Sequence, residues 1–245
     1  MIHAHFYLPP PEWEPGRLRL GGDEARHCVQ VTRHRAGDRV VVFDGAGRKA
    51  EARVEAADKN EVLLAPVKVW QVPRPARSLV LLQAVTKGDT FEWIVEKAVE
   101  LGVRRVVPVL AERSVVRLDA REAERKHEKW GRLVLEACKQ CGQAWLPELA
   151  RPCSLTAALE HKAAAGTGLV ASLQPQARPL RELLPGGQSV AEVAVAIGPE
   201  GDFSEAEHRK LEQAGWLPWS LGGLVLRSET AAISALAILS HELNS

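Results

Sequence analysis

The residues best placed to do chemistry lie in a glycine-flanked loop late in the chain. An apolar run, Val193–Ile197, leads directly into the segment 198–203, which reads GPEGDF. Glycines let a backbone approach a ligand closely, and open α/β sheets bind ligands where a buried strand ends in such a loop. Ser204 and Glu207 then form the capping-box pattern that begins a helix. On spacing alone, a ligand loop carrying the Glu200 carboxylate and a plain strand-to-helix turn fit equally well.

A second segment combines glycines with charged side chains. Gly222 and Gly223 follow a predicted strand, and the segment 227–230, RSET, stands at the start of the almost wholly apolar helix 231–239. A helix that is apolar on nearly all sides is buried in the core or at a subunit interface. Charged residues at its start, beside a glycine loop, serve no packing purpose. We therefore expect this segment to be functional.

Three other patterns favour structure over chemistry. The segment 45–50, GAGRKA, matches the dinucleotide-binding pattern, but a strand follows it where that pattern needs a helix, so we expect a hairpin turn. Cys138 and Cys141 form a C-x-x-C pair without a second pair, and we expect both on the buried face of a helix. His3 and His5 lack a third ligand. No metal site is predicted.

The spacing of apolar residues along the chain changes near Pro73 and Pro75. We expect these two prolines to lie in the linker between two domains. Before it, short alternating runs with turn signals predict a small β-barrel or sandwich over residues 1–70. The predicted strands there are Arg39–Asp44, Ala52–Ala56, Val62–Leu64 and Val67–Val69.

After the linker, strand-like runs alternate with helical spacing, which predicts a mostly parallel sheet with helices on both faces over residues 71–245. Helices are expected from Phe91 to Gly102 and over 119–141. The predicted strands are Leu79–Leu82, Arg105–Leu110, Gly168–Leu173, Val193–Ile197 and Leu217–Leu221. The fold class is therefore α/β, with an all-β domain first.

Composition excludes several classes of protein. With 46% hydrophobic and 26% charged residues and no long apolar run, the 245-residue chain fits a soluble globular protein and not a membrane-spanning one. The N-terminus lacks the features of a secretory signal, and the four cysteines lack the spacing of a disulfide framework. We expect a cytoplasmic protein.

The distribution of charge indicates where a polyanion could bind. The net charge is only +1, but 14 basic against 11 acidic residues fall in 71–150, and 7 against 10 in 151–245. A nucleic-acid surface is therefore expected in the first two thirds of the chain.

Together, the two C-terminal segments resemble the SPOUT methyltransferases, and specifically the ribosomal RNA small-subunit methyltransferase E family. The family's IGPEGG-F-S loop is similar to Ile197–Ser204, and its LG-x-R-I-L-R-x-E-T-A segment to Leu221–Ala231. The similarity extends over nearly the whole chain. Its other points are Lys87-Gly88, Glu96-Lys97, Glu100–Gly102, Glu112–Ser114, Glu136-Ala137, Gln140, His27, Val31, Arg33 and Phe43–Gly45.

The resemblance implies an N-terminal PUA-like β-barrel followed by a SPOUT α/β domain with a C-terminal deep trefoil knot. It implies a homodimer that uses S-adenosyl-L-methionine to methylate the N3 atom of one uridine in 16S ribosomal RNA, free or in the assembled small subunit. It implies no metal and no membrane partner.

Charged residues stand at the loop ends beside the expected cofactor. From that placement we hypothesise that Arg227 stabilises the uridine oxygens and that Glu200 or Glu229 orients the base or takes its proton. The expected RNA-binding residues are Arg17, Arg19, Arg26, Arg33 and Arg35. The expected cofactor-binding residues are Leu173, Ile197, Gly198, Pro199, Glu200, Gly201, Leu221, Gly222, Leu224, Leu226, Thr230 and Ala231.

Three positions depart from the family pattern. Asp202 replaces the second glycine of the loop, and Leu224 and Gln143 stand where the family usually has arginine. Two alternatives stay open: a related SPOUT enzyme that methylates a ribose 2′-hydroxyl, and a non-catalytic RNA-binding or ribosome-assembly factor.

Overall fold

A computed structural model describes residues 4–14, 16–162, 166–184 and 190–244. The chain divides into two compact units. Unit 1 comprises residues 1–74 together with 135–146, and unit 2 comprises 75–134 together with 147–245. The end of the predicted long helix thus packs with the first unit, whereas the sequence assigned the whole helix to the second domain.

Unit 1 is built on a five-stranded sheet with the order β1-β3-β4-β5-β2. β1 and β3 are parallel, and the other pairs are antiparallel. β1 and β2 form its two edges, so the strands described here make an open sheet and not the closed barrel expected from the sequence. The strands are β1 His5–Tyr7, β2 Leu18–Gly21, β3 Arg39–Phe43, β4 Arg48–Ala57 and β5 Glu61–Gln71.

Alternation decides which face of this sheet is buried. Ala50, Ala52 and Val54 of β4 point into one apolar cluster, while the residues between them are partly or fully exposed. The sequence predicted two strands where β5 is continuous, because Pro66 interrupts the apolar run. A register shift at Glu51/Ala52 accommodates that proline.

The turn between β3 and β4 is the predicted hairpin. Gly45 and Gly47 both have positive φ, at 72° and 93°. The Asp44 carboxylate accepts hydrogen bonds from the Ala46 and Arg48 amides at 2.7 and 2.9 Å, which closes the turn.

A short helix was missed by the sequence analysis. Helix α1, Gly22–Arg26, continues into a π-helical turn, His27–Val31. Among these residues only Ala25 and Cys28 are buried. The segment therefore lacks the periodic apolar residues that would predict a helix from the sequence.

Unit 2 contains a parallel sheet with the order β12-β10-β11-β6-β7-β8, and β9 also pairs with β7. Its strands are β6 Ser78–Ala84, β7 Arg105–Leu110, β8 Glu148–Leu149, β9 Cys153–Ser154, β10 Thr167–Ala171, β11 Glu192–Ile197 and β12 Leu217–Trp219. The helices from α2 onward are α2 Thr90–Glu100, α3 Ala120–Cys141, α4 Leu155–Ala158, α5 Leu180–Leu183, α6 Glu205–Gln213 and α7 Ser228–Asn244.

Helices cover both faces of this sheet, as predicted. Val80 and Leu82 share one core cluster with Leu155 of α4 and Leu211 of α6. Gln83, which points to the opposite face, bonds to the start of α7, and α7 packs against β6, β11 and α2. Among the described residues, no helix is long and apolar enough to cross a membrane.

Two predicted strands of unit 2 run past the observed ends of those strands. β10 ends at Ala171 and β12 at Trp219, so Leu173 and Leu221 lie in the loops that follow. Apolar runs overestimate strand length here, because these leucines face a cleft and not the sheet.

Candidate functional site

A cleft opens at the carboxyl ends of β10, β11 and β12, which are neighbours in the parallel sheet. The loops after these strands and the first turn of α7 line it. Carboxyl ends of adjacent parallel strands meet at one edge of a sheet, and ligands bind there in open α/β folds. The fold therefore brings three sequence-distant loops to one place.

Most of the predicted cofactor-binding residues line this cleft; Gly201 and Thr230 do not. The predicted residues that line it are Leu173, Ile197, Gly198, Pro199, Glu200, Leu221, Gly222, Leu224, Leu226 and Ala231. The sequence analysis missed five lining residues, which are Ala171, Ser172, Asp202, Val225 and Ser228. Asp202, Val225 and Ser228 lie inside the quoted motifs, so extending each prediction along its motif would have found them.

Gly198 is a glycine for steric reasons. A Cβ atom there would lie 3.1 Å from both Asp202 Oδ1 and the Phe203 nitrogen. Contacts of that length are tighter than ordinary van der Waals contact, so the neighbouring atoms would have to shift by a few tenths of an ångström. Glycine avoids that shift and lets the loop keep its path along the cleft.

Asp202 explains how the chain replaces the family's second glycine. Its φ is +57°, in the left-handed region where glycine is favoured and short polar residues are tolerated. Its Oδ1 accepts a hydrogen bond from the Phe203 amide at 2.7 Å, and its Oδ2 lies 3.2 Å from His208 Nε2. The side chain therefore stabilises the conformation that glycine would adopt without strain.

The loop is held from two sides. Ser228 Oγ donates to the Gly198 carbonyl oxygen at 2.7 Å, and Arg113 Nη1 donates to the Gly201 carbonyl oxygen at 3.1 Å. Gly201 thus lies against Arg113 and outside the cleft lining. Arg113 belongs to the Glu112–Ser114 segment, whose resemblance to the family was noted without a role.

The three candidate catalytic residues do not all converge. Glu200 lines the cleft, is exposed, and accepts a hydrogen bond of 3.4 Å from the Lys87 amide. Arg227 and Glu229 stand at the start of α7 but do not line the cleft. The Arg227 side chain is exposed and has no hydrogen-bond or ion-pair partner among the described residues.

The five arginines proposed for RNA binding fall into two groups. Arg19 pairs with Glu61 at 3.0 Å, and Arg26 pairs with Asp23. The side chains of the other three are exposed and pair with no acidic residue in the described part of the chain. These are Arg17, Arg33 and Arg35.

The cysteine pair lies differently from the prediction. Cys138 is buried, and burial raises the pKa of its thiol to about 12. Cys141 is exposed, since α3 ends at this residue, so the expectation of two buried thiols is wrong. His3 lies outside the described residues. Among the residues that are described, no group of three or more His, Cys, Asp or Glu could hold a metal ion.

Comparison with known proteins gives a consistent result. The RNA methyltransferase domain family matches residues 73–240, and the RNA methyltransferase PUA domain family matches 20–67. The chain is 32% identical over 241 residues to ribosomal RNA small subunit methyltransferase E of Synechocystis, covering 97% of this chain and 77% of that protein.

Two solved structures are similar over almost the full length. A methyltransferase from Legionella pneumophila with bound S-adenosylmethionine superposes with a TM-score of 0.89 at 33% identity, covering 98% of each chain. Ribosomal RNA small subunit methyltransferase E from Neisseria gonorrhoeae, bound to the same molecule, gives 0.86 at 28% identity, covering 97% of each. With its two family matches, its glycine-lined cleft and these relatives, the chain belongs to the ribosomal RNA small subunit methyltransferase E family of RNA methyltransferases, and its N-terminal domain is PUA-like.

Proposed function

We propose that this protein transfers a methyl group from S-adenosylmethionine to the N3 atom of one uridine in small-subunit ribosomal RNA. The observation that carries the proposal is the cleft formed by the loops after β10, β11 and β12. Two relatives of very similar fold hold S-adenosylmethionine, and the names of the Neisseria gonorrhoeae and Synechocystis proteins specify small-subunit ribosomal RNA. Such a substrate implies work in the cytoplasm, on free RNA or on the assembled subunit.

The residues of the cleft fit this cofactor. Apolar side chains such as Ile197 and Leu226 provide walls for a planar ring. Because Gly198 has no Cβ, the loop can pass close to its own residues 202 and 203 while it lines the cleft. Ser172, Glu200 and Asp202 contribute polar groups to the lining. When bound, S-adenosylmethionine supplies a methyl group on a positively charged sulfur. The Glu200 carboxylate lies where it can attract that charge or orient the RNA base.

We extend the proposal to the knotted topology expected of the family. After the edge strand β12, the chain returns to the middle of the sheet, where α7 packs on β6 and β11. The cleft loops thus lie between the edge strand and a helix that covers the sheet centre. This path supports a deep trefoil knot in the last part of unit 2.

We also propose a homodimer. Trp93 of α2 and Ile238 of α7 are 47% and 40% exposed, although α2 and α7 pack together and the adjacent residues Ile94 and Leu239 are fully buried. A second copy covering these side chains would remove apolar surface from water. Sedimentation should give twice the 26.8 kDa chain mass, and a monomer at micromolar concentration would contradict the dimer.

Methyl transfer to uridine N3 requires the N3–H proton to leave. In-line attack depends mainly on positioning, and a cation can stabilise the negative charge that develops on the uridine oxygens. The Arg227 guanidinium, which pairs with no residue in the described part of the chain, can supply that cation from the start of α7. Glu200, inside the cleft, is the proposed proton acceptor, with Glu229 as the alternative.

Incubation of the protein with S-adenosylmethionine and small subunits from cells lacking this modification should produce one N3-methyluridine, mapped by mass spectrometry. Arg227→Ala should lower the single-turnover rate about 100-fold, a typical cost for one electrostatic stabiliser. A methyl group on a ribose oxygen would identify the 2′-O-methyltransferase alternative. Cofactor binding without methyl transfer to any RNA would identify a binding or assembly factor.

RNA docking is expected to depend on the arginines of unit 1 that pair with no acidic residue among those the structure describes. Arg33→Ala and Arg35→Ala should each weaken RNA affinity and reduce the slope of log affinity against log salt by about 1, the loss of one phosphate contact. Arg19→Ala and Arg26→Ala are the matched controls, because Glu61 and Asp23 already neutralise those side chains. Equal losses at all four positions would contradict this assignment.

A further inference from the structure

A buried glutamine on the central strand connects the cleft to the sheet. Gln83, near the end of β6, has a fully buried side chain among apolar neighbours. Its Nε2 donates to the Ala84 carbonyl oxygen at 3.0 Å and to Ser228 Oγ at 3.1 Å. Both amide protons are therefore used. If the amide oxygen and nitrogen were exchanged, Gln83 Oε1 would face the Ala84 carbonyl oxygen, and neither oxygen could donate a proton.

This orientation of Gln83 determines what Ser228 does. A hydroxyl has one proton to donate, and Ser228 Oγ already accepts from the Gln83 amide. Its proton is thus directed to the Gly198 carbonyl oxygen, 2.7 Å away. Ser228 is also buried, at 5% exposure, so water does not compete strongly for the bond.

The arrangement is costly if it serves packing alone. Gln83 Oε1 is buried and has no hydrogen-bond partner in the described part of the chain. An unsatisfied buried acceptor lowers stability, whereas an apolar side chain on this strand would avoid that loss. Packing does not explain why this position carries an amide. The amide is explained by the Ser228–Gly198 hydrogen bond that it orients.

We infer that Gln83 and Ser228 act as a positioning pair, in which the Gln83 amide directs the Ser228 hydroxyl onto the Gly198 carbonyl and so holds the cofactor loop in its binding shape. The inference rests on the proposed function, since it assigns the pair to S-adenosylmethionine binding. The sequence placed Ser228 in a segment expected to be functional but assigned no role to Ser228 or to Gln83. The pair links β6, the loop after β11 and the start of α7.

The test is a double-mutant cycle read by calorimetric titration with S-adenosylmethionine. Ser228→Ala and Gln83→Leu should each weaken binding about tenfold, roughly the worth of one hydrogen bond in affinity. The double variant should bind no more weakly than the weaker single variant, because either change breaks the same relay. Additive losses, or singles that bind like the unaltered protein, would overturn the inference.

Ser78→Ala is the matched control. Ser78 lies at the opposite end of β6 and donates to Glu192 at 3.1 Å, away from the cleft, so its loss should leave cofactor affinity unchanged. Equal denaturation midpoints for all variants would separate positioning from stability. The pair has no positioning role if the cofactor affinity of the Ser228 and Gln83 variants falls only in proportion to their loss of stability. The same conclusion follows if Ser78→Ala loses as much cofactor affinity as they do. If the unaltered protein binds no S-adenosylmethionine, the proposed function itself fails, and this inference fails with it.

Discussion

Gly198→Val is expected to abolish measurable S-adenosylmethionine binding while the protein stays folded. A Cβ at this position already lies 3.1 Å from the Phe203 nitrogen, and the two valine methyl groups extend further. The loop must move away from the path that its neighbours impose. Calorimetric titration should show at least a 100-fold loss of affinity, which corresponds to about 2.7 kcal/mol.

Gly223→Ala provides the control for that result. Gly223 belongs to the glycine pair after β12, but its Cβ would meet no atom within 4 Å, and its φ is not in the left-handed region. Alanine there should leave binding within a factor of about two. Retained affinity in Gly198→Val would mean that the cleft is not the cofactor site. The circular dichroism spectrum of each variant establishes that it is folded.

Lys139→Ala is expected to destabilise unit 1 by about 3 kcal/mol, because it leaves a partly buried carboxylate without its cation. Lys139, near the end of α3, is only 7% exposed. Its Nζ lies 2.7 Å from Glu24 Oε1 and 2.6 Å from Glu136 Oε1. Glu24 also accepts the Tyr7 amide at 3.0 Å, so it connects α1, β1 and α3. Urea denaturation monitored by tryptophan fluorescence measures the loss.

Lys97→Ala is the matched control, since Lys97 also pairs with two glutamates but its side chain is 29% exposed, against 6% for Lys139. Surface pairs contribute less than about 1 kcal/mol, so this variant should unfold close to the unaltered protein. Equal effects of the two substitutions would show that burial of the Lys139 network does not determine its contribution.

The Lys139 network also predicts a pH dependence. Burial alone lowers the pKa of Lys139, but its bonds to Glu136 and Glu24 outweigh burial, and the pKa is raised above 10.5. A raised lysine pKa contributes stability that is complete at neutral pH and is lost as the pH rises through the folded-state value. The difference between the unaltered protein and Lys139→Ala should therefore shrink as the pH rises above 10.5.

The sequence predicted the elements well where one residue pattern is decisive. Glycines at 45 and 47 before an alternating strand predicted the hairpin, and the Ser204/Glu207 capping box is present at the start of α6. Where the pattern was weak, prediction failed. The one-turn helix α1 has too few buried residues to show a period, and the Pro66 bulge made one strand resemble two.

The candidate site could be located but not assembled from the sequence. The two glycine motifs pointed to the loops after β11 and β12, and their residues line the cleft. Their convergence follows from the strand order β12-β10-β11, which places loops distant in sequence at one edge of the sheet. No periodicity encodes that order, because it depends on which strands pair.

The fold class, the strands and helices with strong patterns, and the family with its two specific motifs can all be read from the sequence. How individual side chains are used depends on the folded structure. It placed Asp202 in a left-handed conformation, separated Arg227 from the cleft lining, and joined Gln83 to Ser228 across 145 positions of sequence. The physical reason is that hydrogen bonding and burial depend on distances in space, whereas motifs and periods record only neighbours along the chain.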